Sequence, residues 1–341
     1  MQTLTLKRWL SSISLLTLLS VIVLFISLLF GSDALKPFET LKALKSMVAG
    51  NIDSGVVTTI LFHIRLPRIL LCLIVGGSLA AAGAGFQAIL KNPLADPYVL
   101  GISSGAALGV MVSVYTHAST NLPGISATML LAFIGALLTL YAVYRLGSID
   151  GKIPPQTMLL AGVMLNAVIF AVILLLTSIN NSLDMQKIFF WLLGYMSSPD
   201  YTTLTVIYLF SLAGACLLFS QTKSLNVITT GDETALSLGI NVVRVRKMIL
   251  AGGALLVAAS VSICGPIGFI GIMIPHAVRL LTGYDYRLVL PLSVLGGGIF
   301  LAAADTFART VLSPAEIPVG VITALTGGPF FLYLLRKRRF T

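Results

Sequence analysis

Residues 85–109 read GFQAILKNPLADPYVLGISSGAALG and contain a break between two helices. The pairs Asn92-Pro93 and Asp96-Pro97 interrupt a helix, because proline lacks a backbone N–H and disfavours a helical conformation in the residue before it. Small residues such as Gly85 and Ser104 lie on both sides of the break, and small residues let membrane helices approach closely. We therefore expect a polar, rigid turn between two closely packed helices.

The composition of the chain excludes a water-soluble fold. Of its 341 residues 57% are hydrophobic and 10% are charged, and the mean hydropathy is +0.99. Soluble domains carry about 25% charged residues, which this chain would need to cover a surface in water. Disordered and fibrous classes are excluded for the same reason. The chain is predicted to be an all-α polytopic membrane protein.

Charge-free stretches predict the number of membrane crossings, since a spanning helix needs about 20 apolar residues. Two of the stretches are interrupted, one at 117–126 and the other at Gly265-Pro266, so each of these is divided into two helices. The expected total is ten transmembrane helices in a single domain, 1–341, with 31–60 outside the membrane and 188–199 at the interface. The stretches are 9–32, 69–90, 97–144, 153–183, 201–222, 248–278, 288–304 and 317–335.

Basic residues predict the orientation. An even number of crossings places both termini on one side, and both are basic, with Lys7-Arg8 at the start and 336–339 (RKRR) at the end. Basic residues collect in cytoplasmic loops, so both termini are expected in the cytoplasm. A net charge of +10 would suggest nucleic acid for a soluble protein. Here the membrane accounts for it, and no nucleic-acid partner is expected.

The sequence lacks the motifs of phosphate-binding loops and metal sites. There is no GxxxxGK[ST], the nearest approach being 147–152 (GSIDGK), and no HExxH or Cys/His cluster. We expect a non-enzyme that binds no metal or cofactor. Ion-coupled carriers place ionisable residues within their spans, and here only Asp305 and Arg309 come close. The two residues are four positions apart and therefore meet on one helix face, where they either neutralise each other or take part in function. The sequence thus favours a permease driven by another subunit, with a secondary transporter working without an ATPase subunit as the alternative.

Three segments are candidates for function. The turn in 85–109 is either a constriction on the cytoplasmic side or an ordinary turn between helices. The loop 221–247 (QTKSLNVITTGDETALSLGINVVRVRK) predicts two short helices. The second helix is expected over Thr234–Leu238, with Asp232 capping its start and Gly239 ending it. Its apolar residues are expected to form a docking surface: Ala235, Leu236 and Leu238. The alternative for this loop is a basic segment resting on lipid headgroups.

The third segment is RLPR (65–68) on the outer side, together with Arg309. Arginines outside run against the positive-inside trend. They anchor the protein to headgroups or bind acidic groups of a soluble partner, because guanidinium pairs with carboxylate through two hydrogen bonds.

The motifs together resemble those of the permeases of iron-siderophore, haem and cobalamin ABC importers, the type II importer class. The resemblance extends in order over nearly the whole chain. It is carried by RLPR (65–68), GFQAILKNPLADPYVLGISSGAALG (85–109), LLAGVMLN (159–166), GDETALSLGI (231–240), GPIGFIGIMIPHAVRLLTGYDYRLVLP (265–291), ADTFAR (304–309) and EIPVGVITALTGGPFFLYLL (316–335).

The resemblance implies a ten-helix subunit in the bacterial cytoplasmic (inner) membrane that forms a homodimer around a translocation path. Two ATP-binding cassette ATPase subunits, which hold ATP and magnesium, would bind below, and a periplasmic or lipid-anchored substrate-binding protein above. It also implies residue roles. Docking of the binding protein would use Arg65, Arg68 and Arg309. The cytoplasmic gate would be formed by Asn92, Leu94, Gln156 and Thr157. Coupling to the ATPase would use helices within about 224–241, with Gly231, Asp232, Glu233, Thr234, Ala235, Leu236, Ser237, Leu238 and Gly239.

The transported substrate is left open by the sequence. Under the resemblance an iron-siderophore is the most frequent case, and cobalamin, haem and molybdate are alternatives. The fifth span contains LNAVIFAVILLL (165–176), which has no charged or metal-binding side chain that would select one of them.

Overall fold

A computed structural model describes residues 5–31, 37–48, 55–120, 122–149, 151–178 and 182–336. Within these ranges the chain is helical, without a β-strand, and a short π-helical segment, Ile60–Arg65, joins the third helix to the fourth. The helices are α1 (Leu6–Leu29), α2 (Pro37–Val48), α3 (Val56–Thr59), α4 (Leu66–Ile89), α5 (Ile102–Thr116), α6 (Ala127–Gly147), α7 (Pro155–Ser178), α8 (Ser182–Leu192), α9 (Tyr201–Ser220), α10 (Thr222–Ile228), α11 (Asp232–Ser237), α12 (Val242–Cys264), α13 (Ile270–Thr282), α14 (Tyr286–Thr310) and α15 (Val319–Arg336).

Seven helices in the described part of the chain are long and apolar enough to cross a membrane. They are Leu6–Leu29, Val56–Ile89, Ala127–Gly147, Pro155–Ser178, Tyr201–Ser220, Val242–Cys264 and Tyr286–Thr310. Shorter apolar helices occupy three of the remaining predicted spans, Ile102–Thr116, Ile270–Thr282 and Val319–Tyr333. The all-α fold is confirmed, and the number of ten crossings stays a prediction. Residues Lys337, Arg338 and Arg339, which support the predicted orientation, lie outside the described residues.

Both interruptions inferred from the sequence are present. Helix α5 ends before His117, which has a left-handed backbone (φ 48°), and α6 begins after Ser126, whose side chain accepts a hydrogen bond from Met129 N–H. Helix α12 ends before Gly265 (φ 68°), where a side chain would collide with the carbonyl oxygen of Trp191. Helix α8 covers the first part of the segment 188–199 and ends at Leu192. The interfacial position expected for this segment stays a prediction.

Glycines bring the backbone of α4 against two neighbouring helices. A Cβ on Gly76 would lie 2.2 Å from the carbonyl oxygen of Gly297 in α14. A Cβ on Gly83 would lie 1.9 Å from that of Gly271 in α13. Helices can approach this closely only where neither carries a side chain, as is usual in membrane bundles. As a result α4 is almost entirely buried and forms the centre of the described bundle.

Helix α4 also separates two opposite ends of the molecule. Its 24 residues span about 36 Å at 1.5 Å per residue. Near its start Arg68 pairs with Asp305, close to the end of α14, so the two helices run antiparallel. We call this end the arginine face (Arg65, Arg68, Asp305, Arg309 and Glu316). The other end, the hairpin face, carries the loop that follows α4 (residues 90–101, the proline loop) and the helices α10 and α11 (residues 222–239, the hairpin).

Helix α7, unlike α4, is largely exposed within this chain. Apolar side chains cover most of its surface, yet few of them are buried within this chain. Those exposed include Leu160, Val163, Met164, Val168, Phe170 and Leu174. A contiguous apolar surface of this kind requires lipid or another protein chain to cover it.

Replacing Gly83 by alanine is expected to destabilise the bundle, because the added Cβ would force α4 away from α13. Overpacking of this kind costs about 1–3 kcal/mol. We expect the melting temperature of the detergent-solubilised protein to fall by several degrees. The control is Gly328→Ala in α15, where a Cβ meets no atom within 4 Å. Equal melting temperatures for the two variants would contradict the assigned contact.

Candidate functional site

The proline loop is a rigid turn held by its own side chains. The N–H of Leu94 donates to Asn92 Oδ1 at 2.9 Å, and the N–H of Tyr98 donates to Asp96 Oδ1 at 2.9 Å. Asparagine and aspartate favour turns because their side chains bind backbone N–H groups two residues further on. Asn92 is half-buried, while the Leu94 residue is 43% exposed. The polar, rigid turn expected from the sequence is therefore present.

Asp96 connects the proline loop to the segment before α13. It is 7% exposed, and its carboxylate accepts hydrogen bonds from the backbone N–H groups of Tyr98 and Phe269. Burial raises the pKa of Asp96 to about 6, although the two hydrogen bonds act in the opposite direction. The carboxylate thus fixes the proline loop against the break between α12 and α13.

Helix α7 packs onto the proline loop. The side-chain amide of Asn166 donates to the carbonyl oxygen of Tyr98 at 2.9 Å and accepts from Ser104. A Cβ on Gly162 would lie 2.3 Å from the carbonyl oxygen of Val99. The two chain segments predicted to form a gate therefore belong to elements in direct contact.

The gate residues at the start of α7 differ in their surroundings. Gln156 is exposed. The hydroxyl of Thr157 donates to the carbonyl oxygens of Gly147, at 2.8 Å, and Pro154, at 3.0 Å, so it holds the turn between α6 and α7. The gate role of Asn92, Leu94, Gln156 and Thr157 stays a prediction.

The hairpin consists of two short helices, as expected, but Asp232 does not cap the second. Helix α11 begins at Asp232, and the preceding Gly231 (φ 153°) is its N-cap without a side-chain hydrogen bond. The carboxylate of Asp232 is instead engaged by basic side chains. Gly239 (φ 76°) follows the end of the helix, and its N–H donates to the carbonyl oxygen of Leu236 at 2.9 Å. That end was correctly predicted, because a left-handed residue after a helix is usually glycine.

Two leucines of the hairpin are exposed on the hairpin face. Leu236 is 61% exposed and Leu238 is 65% exposed. Ala235, which was expected to share this surface, is completely buried. It lies instead on the side of α11 that packs into the bundle. The exposed apolar surface of the hairpin is therefore smaller than the sequence suggested.

Helix α10 is anchored to the start of α14 by one amide. Asn226 Nδ2 donates to Asp285 Oδ1 at 2.8 Å, while the N–H of Tyr286 donates to Asn226 Oδ1 at 2.7 Å. The hydrogen bond of Arg287, with smaller help from Asn226, lowers the pKa of Asp285 to about 2. This anchor is therefore ionised at physiological pH.

Helix α11 is anchored separately through Asp232. Lys91 Nζ lies 2.9 Å from Asp232 Oδ1, and Arg246 Nη2 lies 2.9 Å from Oδ2. Burial alone would raise the pKa of Asp232, but the hydrogen bond of Lys91 and the charge of Arg246 outweigh this effect and lower it.

The three arginines of the arginine face are buried within the chain. The three arginines are 1% (Arg65), 6% (Arg68) and 3% (Arg309) exposed. Arg68 pairs with Asp305 and with Glu316, both at 2.9 Å, and Arg309 pairs with Asp305 at 3.1 Å.

Arg65 and Tyr195 make further contacts on this face. Arg65 donates to the carbonyl oxygen of Leu28 at 2.7 Å, which satisfies a backbone group at the end of α1. The ring of Tyr195 lies 5.6 Å from the guanidinium of Arg68, and its hydroxyl donates to Glu316. The three arginines are thus buried together with partners from this chain, as buried charges require. Their predicted role in docking a binding protein stays a prediction. Mutual neutralisation of Asp305 and Arg309, one of the two interpretations of that pair, is present.

Sequence reasoning missed Lys91, Arg246 and Glu316. Lys91 directly precedes the predicted gate residue Asn92, and its basic charge was its only signal. Arg246 lies in a basic run that fits a headgroup contact equally well, but it is 5% exposed whereas Arg244 is exposed. Within the described ranges, no group of three or more His, Cys, Asp or Glu residues is placed to hold a metal ion.

Comparison with known proteins identifies the class. The FecCD transport family matches residues 18–337. The chain is 40% identical over 299 residues to the cobalamin import system permease protein BtuC of Halobacterium salinarum, covering 87% of this chain and 79% of that protein. It is 40% identical over 278 residues to the hemin transport system permease protein HmuU of Yersinia pestis, covering 81% of this chain and 83% of that protein.

A solved structure shows the same fold. An inward-facing metal-chelate type ABC transporter superposes with a TM-score of 0.82 at 29% identity, covering 96% of this chain and 99% of that one. The fold and the relatives together define a multi-pass membrane permease. The chain belongs to the FecCD transport family.

Removing the carboxylate shared by Arg68 and Arg309 is expected to destabilise the protein. Asp305→Asn leaves two buried guanidinium groups with one fewer anion, and breaking a buried ion pair costs about 3–5 kcal/mol. The control is Arg287→Gln, which removes an exposed pair of about 0–1 kcal/mol. Thermal unfolding in detergent measures both. Comparable stability of the two variants would contradict a structural role for Asp305.

Titration of Asp232 provides a pH test. Its pKa in the folded protein is lowered, so its ion pairs stabilise the fold above the ordinary aspartate pKa of about 3.9 and are lost as the pH falls through the lower, folded value. Carbon-13 NMR of labelled aspartates, assigned with Asp232→Asn, should place its midpoint below that ordinary value. Lys91→Gln should raise the midpoint, since one of two cations is removed. A midpoint at the ordinary value in the parent protein would contradict the anchor.

Proposed function

We propose that this chain is the permease subunit of an ATP-driven importer for a metal chelate. The observation that carries the proposal is the hairpin, which exposes Leu236 and Leu238 at one end of a membrane bundle while its base is fixed by Asn226 and Asp232. An anchored element with exposed leucines suits docking of a partner whose movement is transmitted into the bundle. Membership of the FecCD transport family and the import of cobalamin and hemin by two relatives support the same assignment.

The working unit is proposed to be a homodimer with its path along the interface. Helix α7 supports this, because its apolar side chains are largely exposed and its first turn carries Gln156 and Thr157. The proline loop, with Asn92 and Leu94, lies against α7 and would close the path on the hairpin face. An apolar wall without strong ligands suits a bulky cargo that must be released.

The mechanism follows from the positions of these elements. A binding protein, periplasmic or lipid-anchored, delivers the chelate to the arginine face of the dimer. Two ATPase subunits, which bind ATP and magnesium, seat the residues 231–239 of each copy and move them during the nucleotide cycle. That movement shifts the proline loop and thereby opens or closes the path. The hairpin face and both termini then lie in the cytoplasm, and the chain is in the inner membrane.

Docking at Arg65, Arg68 and Arg309 is proposed as an exchange of partners. Their guanidinium groups are engaged within the chain, so acidic groups of a binding protein would reach Arg68 only by replacing Glu316 or Asp305. Glu316 has the more exposed side chain of the two, at 18%.

The substrate class is proposed from the relatives. Cobalamin and haem are both metal chelates, and the matching solved structure is of metal-chelate type. An iron-siderophore is the first candidate, followed by cobalamin, haem and molybdate. The alternative of a secondary transporter is disfavoured by Asp305, whose carboxylate is engaged by two arginines and is not available to carry a coupling ion.

Reconstitution tests the proposed function. The chain, its cognate ATPase subunits and its binding protein are placed in liposomes. Uptake is measured for a radiolabelled iron(III) hydroxamate siderophore, with cobalamin, haem and molybdate in parallel. We expect uptake of one of them that requires ATP and every component. Uptake by the chain alone would overturn the proposal in favour of a secondary transporter.

Charge introduced on the hairpin should prevent assembly with the ATPase. Burying one leucine contributes about 2 kcal/mol, so Leu236→Asp or Leu238→Asp should weaken binding of the ATPase subunits by about tenfold or more. Leu122→Asp, which also changes an exposed leucine but near the arginine face, is the control. Binding is measured by titrating ATPase subunits onto the chain in nanodiscs. Equal affinity of hairpin and control variants would exclude this docking surface.

A further inference from the structure

The carboxylate of Asp232 joins the hairpin to two other parts of the chain at once. Lys91 Nζ reaches Oδ1 at 2.9 Å, and Arg246 Nη2 reaches Oδ1 at 3.1 Å and Oδ2 at 2.9 Å. Lys91 directly follows α4 and precedes Asn92 of the proline loop. One end of this connection therefore lies beside the predicted gate.

Arg246 extends the connection to the start of α7. Its Nη1 donates to the carbonyl oxygen of Ile153 at 3.0 Å, while Nη2 holds Asp232. Ile153 lies three residues before Gln156 and is 1% exposed. The Arg246 side chain is 6% exposed, so water screens its contacts weakly. A planar guanidinium can hold two acceptors in a fixed relative position, which an ammonium group cannot do.

The backbone of Lys91 supports a role beyond local folding. Lys91 has a left-handed conformation (φ 48°) just after the end of α4, and its N–H donates to the carbonyl oxygen of Ala88. That position after a helix is normally taken by glycine, because a side chain is unfavourable there. Lysine occupies this position at a conformational cost, and its ammonium group is placed on Asp232. Strained residues of this kind cluster at switch regions.

We propose that Asp232, Lys91 and Arg246 are positioning residues that couple the hairpin to both segments of the gate. The proposal rests on the proposed function and specifies how movement is transmitted within it. Displacement of α11 must carry Lys91, Arg246 and the carbonyl group of Ile153 with it, or break the ion pairs and the hydrogen bond that join them. The other anchor, from Asn226 to Asp285, leads to α14 and to neither gate segment.

The test uses the chain in complex with its ATPase subunits in liposomes. Leu94→Cys is introduced with Cys216→Ser, since Cys216 is the exposed one of the three native cysteines. The rate of modification of the new thiol by a maleimide is compared without nucleotide and with a non-hydrolysable ATP analogue. The variants are Lys91→Gly, Arg246→Gln and Lys91→Arg. Arg244→Gln is the matched control, because it removes an exposed arginine two residues away.

We expect nucleotide to change the modification rate in the parent complex. In Lys91→Gly and Arg246→Gln that change should fall about fivefold, within the range by which single residues modulate coupling. Lys91→Arg keeps the positive charge and should show the same nucleotide-dependent change as the parent. Arg244→Gln should also leave that change intact. Lys91→Gly also relieves the backbone strain, so its melting temperature should equal or exceed that of the parent. A purely structural role for Lys91 predicts that this variant responds normally.

The outcomes separate this proposal from the proposed function. A parent complex that responds, together with a Lys91→Gly variant that responds equally, overturns the coupling role while the importer assignment stands. A parent chain that does not bind the ATPase subunits, or does not respond to nucleotide, overturns the proposed function and the coupling role with it. Loss of response in the Arg244→Gln control would show a general charge effect and would also overturn the specific connection.

Discussion

Close contact between helix backbones is the constraint on which this molecule depends. Lipid offers helices no hydrophobic advantage from associating, so tight packing must hold them together. Helix α4 meets α14 at Gly76 and Gly297, and α13 at Gly83 and Gly271. With α4 fixed in the centre, its two ends define where the arginine face and the hairpin face lie.

Charged side chains are placed at those two ends according to the cost of burying them. On the arginine face, Asp305 and Glu316 offset the charges of Arg68 and Arg309, since a buried charge without a partner is expensive. On the hairpin face, Asp232 receives two basic groups in the same way. Both networks connect elements far apart in the sequence, so they restrict relative movement of helices as well as balancing charge.

Much of the fold was predictable because its signals are local. Apolar runs located the helices, and glycine and proline located the breaks at His117 and Gly265. The turn at Asn92 and the end of the hairpin at Gly239 were also predictable, because each depends on a residue's own backbone preference. The capping role expected for Asp232 was wrong, since two distant basic side chains compete for its carboxylate.

The sequence by itself determined the class: a helical membrane bundle with a polar turn between two helices, a loop containing two short helices, and motifs resembling importer permeases. Those features reside in composition and in short segments whose chemistry does not depend on their neighbours. Only the tertiary structure decided which charges are exposed and which are buried. Arg68 and Asp305 are 237 residues apart in the sequence, so no local pattern indicates that they pair. Arg246 is buried, while Arg244, two residues away, is exposed. Such pairings depend on which helices pack together, and packing is set by the whole chain.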